Sequence, residues 1–113
     1  MTAIAGTAHL EVTVRGQPDH AGAMAMTRRR DALLGASAMA LAIADVAVRM
    51  GHPAVATVGT IAVEPAQVNV VPGVARFVID ARHSDPAARA DLVNEVTNAC
   101  KVIARERGLD VDV

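Results

Sequence analysis

The chain has 113 residues, a formal net charge of −1 and 52% hydrophobic residues, yet only one Phe and neither Trp nor Tyr. An apolar fraction this high excludes a disordered chain, the near-zero charge gives no general attraction to nucleic acid or an anionic membrane, and the missing rings remove the stacking that single-stranded nucleic acid needs. With 24 Ala and 17 Val against 6 Leu and 5 Ile, the core must be thin layers of small and β-branched side chains, enough for one domain but not for a large enzyme cleft.

Residues 8–15 alternate. Ala8, Leu10, Val12 and Val14 take one face and His9, Glu11, Thr13 and Arg15 the other, the pattern of a half-buried strand. Gly16-Gln17-Pro18-Asp19 breaks it, and a loop runs to about Thr27. Residues 28–50 predict a helix rich in Ala, Leu and Met, with Gly51 as a left-handed cap and Pro53 preventing continuation. Its Ala residues, Gly35 and Ser37 let another backbone come close. Arg28-Arg29-Arg30 ahead of the apolar run Ala32–Ala44 mimics a twin-arginine export signal. Such a signal belongs at the N-terminus, and the run falls short of the ~20 residues a bilayer requires. Asp31 and Asp45 bracket it, so it reads as a helix and not as a targeting or membrane segment.

Residues 54–64 predict a strand of Ala, Val, Thr and Ile, ended by Glu64-Pro65. A connection over 65–73 closes on Pro72-Gly73, and 74–82 alternates again, with Ala75, Phe77, Ile79 and Ala81 on one face. Ser84-Asp85-Pro86 is a helix start, with Ser84 or Asp85 as cap and Pro86 in the first turn. Leu92, Val96, Cys100 and Ile103 recur at helical spacing, Gly108 ends that helix, and Leu109, Val111 and Val113 alternate in a last strand. The order β-α-β-β-α-β with right-handed crossovers predicts an α+β fold, a ferredoxin-like two-layer sandwich. Its four-stranded antiparallel sheet carries both helices on one face and leaves the other wet. In that topology the second strand lies at an edge, and residues 54–63 contain no Lys, Arg, Asp, Glu or Pro. An uncharged edge needs a cover, and a twofold copy is the simplest one, so the pattern predicts a homodimer.

Catalytic machinery is sparse. The His residues at 9, 20, 52 and 83 form no metal-ligand pairing, and neither a Gly-x-Ser-x-Gly nucleophile nor a phosphate-binding Gly-rich loop is present. Cys100 is alone, which forbids an internal disulfide or a Cys-rich zinc site and is compatible with a cytoplasmic location. Ten Arg against one Lys, with the Ala excess, reads as genomic base composition and not as function. Three polar positions stand out: His20 in Pro18-Asp19-His20-Ala21-Gly22, Asn69 in Val68-Asn69-Val70, and Arg82 at a strand end in Asp80-Ala81-Arg82. An imidazole can stabilise an oxyanion and a guanidinium can hold a carboxylate. On composition alone the plainer readings are strong: His20 a solvated turn residue, Asn69 a turn former, and Arg82 a partner of Glu11 or Asp80.

The motifs taken together are more specific. Gly16-Gln17-Pro18-Asp19-His20-Ala21-Gly22, followed by Met26, Arg29 and Asp31-Ala32-Leu33, resembles the lid domain of the dinuclear-zinc aminoacylase/carboxypeptidase family. Thr57-Val58-Gly59-Thr60-Ile61, Val68-Asn69-Val70-Val71-Pro72-Gly73 and Asp80-Ala81-Arg82-His83-Ser84-Asp85 narrow the similarity. They point to the branch of N-carbamoyl-L-amino acid hydrolases, allantoate amidohydrolases and β-ureidopropionases. The resemblance covers nearly the whole chain, and Ile4-Ala5-Gly6 resembles the start of the inserted domain. Where family members often carry Thr-Thr-Pro-Met, this chain has Ala23-Met24-Ala25-Met26.

The resemblance implies a single dimerisation and lid domain over residues 1–113, excised from a two-domain metal-dependent hydrolase. Two divalent metal ions, zinc or manganese, would sit in the missing catalytic domain, with none held here. The resemblance places His20 as the residue that reaches the partner subunit's active site and stabilises the tetrahedral oxyanion. Asn69 matches a substrate contact, and Arg82 matches the grip on the substrate carboxylate. It implies pairing with a second copy through the edge strand 54–63 and helix 28–50, and contacts to the parent's catalytic domain and a small-molecule substrate. The isolated domain is expected to be inactive, while the parent would hydrolyse the C–N bond of a carbamoyl or ureido compound. The alternative is a stand-alone dimeric ferredoxin-like binding or regulatory module.

Overall fold

Alternating and helical apolar patterns set the element order. It runs β1 (Thr7–Arg15), β2 (Asp19–His20), α1 (Ala32–Met50), β3 (Val55–Glu64), β4 (Val70–Val71), β5 (Val74–Arg82), α2 (Pro86–Arg107) and β6 (Asp110–Asp112). The computed structural model describes residues 6–113, so Ile4 and Ala5 of the opening motif lie outside the described residues. Four strands form one antiparallel sheet in the order β3-β5-β1-β6, which is the ferredoxin-like arrangement with β3 at an edge.

The centre of the sheet is the β1–β5 ladder, in register from Thr7↔Arg82 to Arg15↔Val74. Period-two alternation then sends Val12, Val14, Ala75, Phe77, Ile79 and Ala81 to one side, where all are buried. Met39 and Ile43 of α1 and Leu92, Val96 and Cys100 of α2 close the core from that side. Burial pushes the Cys100 thiol up to about 11, so it packs as a small apolar group with no reactive thiolate. The opposite face carries His9, Glu11, Arg76, Asp80 and Arg82, all partly or fully exposed, and is the wet face that the alternation predicts.

The first helix begins later than the sequence pattern predicts. Residues Met26–Arg28 form a short 3-10 turn and Arg29 is extended, so the helix starts at Ala32 and not at 28. The reason is Asp31, whose Oδ1 accepts from the N–H groups of Leu33 and Leu34 at 3.0 and 3.1 Å. A carboxylate at the N-terminus satisfies the orphan donors and suits the macrodipole, leaving the three arginines outside the helix. By length and composition α1, with 19 residues and a mean hydropathy of 1.6, is apolar enough to cross a membrane, longer than the Ala32–Ala44 run alone. Here it lays Gly35, Ala36, Met39, Ile43 and Val46 into the core. For α2 the cap is Asp85 and not Ser84, with Oδ2 accepting from Ala88 N–H at 3.0 Å, and Gly108 closes it at φ 66° in the left-handed region.

The connections contain a feature that the sequence pattern does not predict. β2 and β4, two residues each, pair antiparallel as a separate ribbon, with His20 opposite Val70. Below this ribbon the two loops cross at close quarters. Gly16 N–H donates to the Gly73 carbonyl at 2.8 Å, Gln17 N–H to Arg30 at 2.9 Å, and Ala32 N–H to Pro72 at 3.0 Å. A Cβ at Gly16 would collide with the Arg30 carbonyl oxygen, and one at Gly73 would sit 2.6 Å from Cδ of Pro18. Backbone cannot swing aside as a side-chain tip can. Gly16→Ala is therefore expected to destabilise the chain by about 1–3 kcal/mol, read as a lower urea midpoint at unchanged slope.

Candidate functional site

His20 is presented by the β2–β4 ribbon. Its carbonyl accepts from Ala23 and Met24 at 3.0 and 3.3 Å, closing a turn directly after the strand. The imidazole folds over that turn, and Nδ1 accepts the Gly22 N–H at 3.0 Å. This contact is made by the tautomer with its proton on Nε2, so Nε2–H is left as an outward donor. A Cβ at residue 22 would stand 3.3 Å from Cε1 of His20, tight enough to push the ring, which is why glycine fits here. Asp19 Oδ1 accepts the His20 backbone N–H at 2.8 Å. The result is an exposed imidazole with one nitrogen fixed and the other free, suited to donating to a developing negative oxygen.

Asn69 is brought to the same place. Its carbonyl accepts from Ala21 N–H at 2.9 Å, which ties it to the residue after His20. Asn69 is exposed, and its side-chain amide makes no hydrogen bond among the described residues. Val68 beside it is fully exposed. His20 and Asn69, distant in sequence, thus form one polar tip.

Arg82 is elsewhere. It is the last residue of β5, paired with Thr7 and Val55, while the ribbon lies beyond the Val74 end. Nine residues of extended strand put about 26 Å between these ends. The guanidinium lies on the open sheet face and is gripped side-on by Asp80, with Nε to Oδ1 at 2.8 Å and Nη2 to Oδ2 at 3.0 Å. Of the two partners that the sequence allows, the structure selects Asp80. Glu11 lies opposite Val78, further along the sheet. His9 Nε2 approaches the same carboxylate at 3.5 Å. Among the described residues the side-on grip leaves Nη1 without a partner, able to meet a second carboxylate. Arg82 holds Asp80 below its ordinary carboxylate value, against a smaller opposing effect of desolvation, and Asp80 in turn raises Arg82.

Sequence reasoning passed over Arg29 as a functional residue. Its side chain is half-buried and turns back into the loop, where Nε donates to the Met24 carbonyl at 3.1 Å and Nη2 to the Ala21 carbonyl at 2.6 Å. The signals were its place in the motif that carries the family resemblance and the run of three arginines ahead of a helix cap. No cluster of three or more His, Cys, Asp or Glu able to hold a metal ion exists among the described residues. The residues present do not fit the metal pair that the resemblance implies for a catalytic domain, and no chemistry of this chain is routed through one.

Comparison with known proteins agrees with this fold. Residues 2–108 match the family model described as a peptidase dimerisation domain. Over 113 residues the chain is 36% identical to allantoate amidohydrolase of Escherichia coli, covering 100% of this chain and 28% of that protein. It is 33% identical to an N-carbamoyl-L-amino-acid amidohydrolase of Paenarthrobacter aurescens, covering 100% of this chain and 27% of that one. Among solved structures, an amidase of the hydantoinase/carbamoylase family from Burkholderia multivorans superposes with a TM-score of 0.91 at 37% identity, over 95% of this chain and 26% of that chain. The chain therefore spans about a quarter of the length of the relatives it matches.

The Asp80–Arg82 pair makes a pH prediction. Because the folded carboxyl is depressed, its contribution to stability is present above the ordinary value of 3.8 and is lost as pH falls through the lowered value. A carboxyl 13C titration should place the Asp80 midpoint below 3.8, and Arg82→Ala should move it back up. An unchanged midpoint in that variant would show that the contact is absent in solution.

Proposed function

This chain belongs to the family of peptidase dimerisation domains, on the branch of the allantoate and N-carbamoyl-L-amino acid amidohydrolases, and from that premise we propose that it is the substrate-binding lid of a longer hydrolase. The parent would be metal-dependent and would hydrolyse the C–N bond of an N-carbamoyl or ureido compound. Its metal-bearing catalytic domain would supply the activated water, and this domain alone would be silent. In this reading His20 donates from Nε2 to the oxyanion of the tetrahedral intermediate, Asn69 holds the substrate beside it, and Arg82 takes the substrate carboxylate on its free Nη1.

The observation that carries this reading is the separation of the polar tip from Arg82. One small substrate cannot touch both ends of the same sheet, so a complete set requires two copies. The surface available for pairing supports it. The edge strand β3 is uncharged from Val55 to Val63. On α1, Leu34, Leu41 and Val48 are exposed and recur every seven residues, forming one apolar stripe. A shallow depression of about 410 Å³ between them is lined by Ala44, Val48, His52, Val55 and Thr57. Strand edge, helix stripe and depression together form a surface that a twofold copy can cover.

Two experiments test the reading. Leu41→Glu in this chain should shift sedimentation from dimer to monomer with the fold retained; an unchanged dimer would move the interface elsewhere. In the parent enzyme, His20→Ala and Arg82→Ala should each reduce turnover of N-carbamoyl amino acids to a small residual rate. Mixing and reassembling the two variants should return about one quarter of the activity, because half the dimers are mixed and each mixed dimer keeps one intact site. Failure of the mixture to recover, with mixed dimers shown to form, would place His20 and Arg82 of one site on the same copy and sink the divided site.

A further inference from the structure

We infer that Arg29 is a positioning residue for His20. This rests on the reading of His20 as the oxyanion donor. Residues 21–25 are Ala-Gly-Ala-Met-Ala, a segment without one hydroxyl, amide, charge or proline in its side chains. Such a segment has little of its own to hold a single conformation, and its glycine loses more freedom on ordering than any other residue. Yet the imidazole of His20 depends on it, since Nδ1 is fixed by the N–H of Gly22.

The loop is anchored from outside. At its entry stand the two-residue pairing of β2 with β4 and the Ala21 N–H bond to Asn69. At its exit Arg30 is fastened, its carbonyl accepting from Gln17 and its Nε donating to Gly108 at 2.5 Å. Between these points the only side chain reaching in from beyond the turn is Arg29, among the described residues. Its two donors fall on the carbonyls of Ala21 and Met24, which bracket Gly22. One planar group thereby sets the distance between the two ends of the turn on which the imidazole rests. Charge-assisted bonds to carbonyls are stronger than neutral ones, and the planar fork loses less entropy per bond than an ammonium would. Lysine can satisfy one carbonyl but not fix the spacing of two.

The inference separates Arg29 from the neighbouring arginines. Arg28 is exposed and makes no hydrogen bond through its side chain among the described residues, and Arg30 fastens the loop to the end of α2. Arg29 is the one directed at the His20 turn.

The test begins with the chain itself. At a pH where the imidazole is neutral, long-range 1H–15N spectra should show His20 as the Nε2–H tautomer. In Arg29→Ala the His20 signal should move toward the tautomer mixture of a free imidazole and the Gly22 amide should exchange faster, while core amides and thermal unfolding stay near wild type. Arg29→Lys should fall between, and added guanidinium should restore the alanine variant. In the proposed parent, Arg29→Ala should lower kcat by on the order of ten- to a hundredfold with KM little changed. The double variant with His20→Ala should be no slower than His20→Ala alone, because Arg29 acts through His20. An Arg29→Ala chain that is folded and keeps the wild-type His20 and Gly22 signals overturns the inference. If His20→Ala leaves turnover intact, the functional reading of His20 fails instead, and the spectra still decide whether Arg29 sets the ring.

Discussion

The rest of the structure depends on the crossing of two loops at Gly16 and Gly73. There the chain leaving β1 and the chain entering β5 touch backbone to backbone, and the start of α1 is drawn into the same knot through Arg30 and Ala32. These contacts use main-chain donors and acceptors, so they demand proximity more than particular side chains. The demand falls on the two glycines, where any Cβ would collide with neighbouring backbone or with the Pro18 ring. Everything beyond the knot is carried by it: the β2–β4 ribbon projects from it, and His20 and Asn69 ride on the ribbon.

Above that knot, the chemistry of the domain is economical. The core contains one aromatic side chain, Phe77, and relies on Ala32, Ala36, Ala75 and Ala81 to let the helices settle close to the sheet. Close packing of small groups recovers in contact number what it lacks in side-chain size. A domain built this way offers surfaces: an edge, an apolar helix stripe, a polar tip and a polar sheet face. That inventory matches a part that works against other surfaces.

The legibility of the sequence followed the range of the interactions. β5 was predicted over 74–82 and occupies Val74–Arg82, because its alternation is a property of consecutive residues bounded by Pro72-Gly73 and Ser84. The whole order of main elements, the edge position of the second strand and the wet face followed from the same local periodicity. The start of α1 differs from the sequence pattern because arginines are good helix formers in isolation, and they outweigh the Asp31 cap until Arg29 is seen turned back into the loop and Arg30 fastened to Gly108. The β2–β4 ribbon was not legible, since two residues carry no period and their pairing depends on a segment far along the chain. For the same reason sequence motifs could nominate His20, Asn69 and Arg82 without showing that the first two share a tip and the third stands at the other end. The Asp80 contact was half legible, because residues two apart on a strand share a face.

Arg29 holds the His20 turn by main-chain oxygens, and this has a consequence for how such a loop can change over generations. A carbonyl is present whatever side chain the residue bears, so substitutions at Ala21, Ala23, Met24 or Ala25 leave both acceptors in place. Only Gly22, under the imidazole, is constrained by shape. The loop that borders the polar tip is thus free to drift in size and polarity, sampling new neighbours for a bound molecule, while the ring it supports stays where it is.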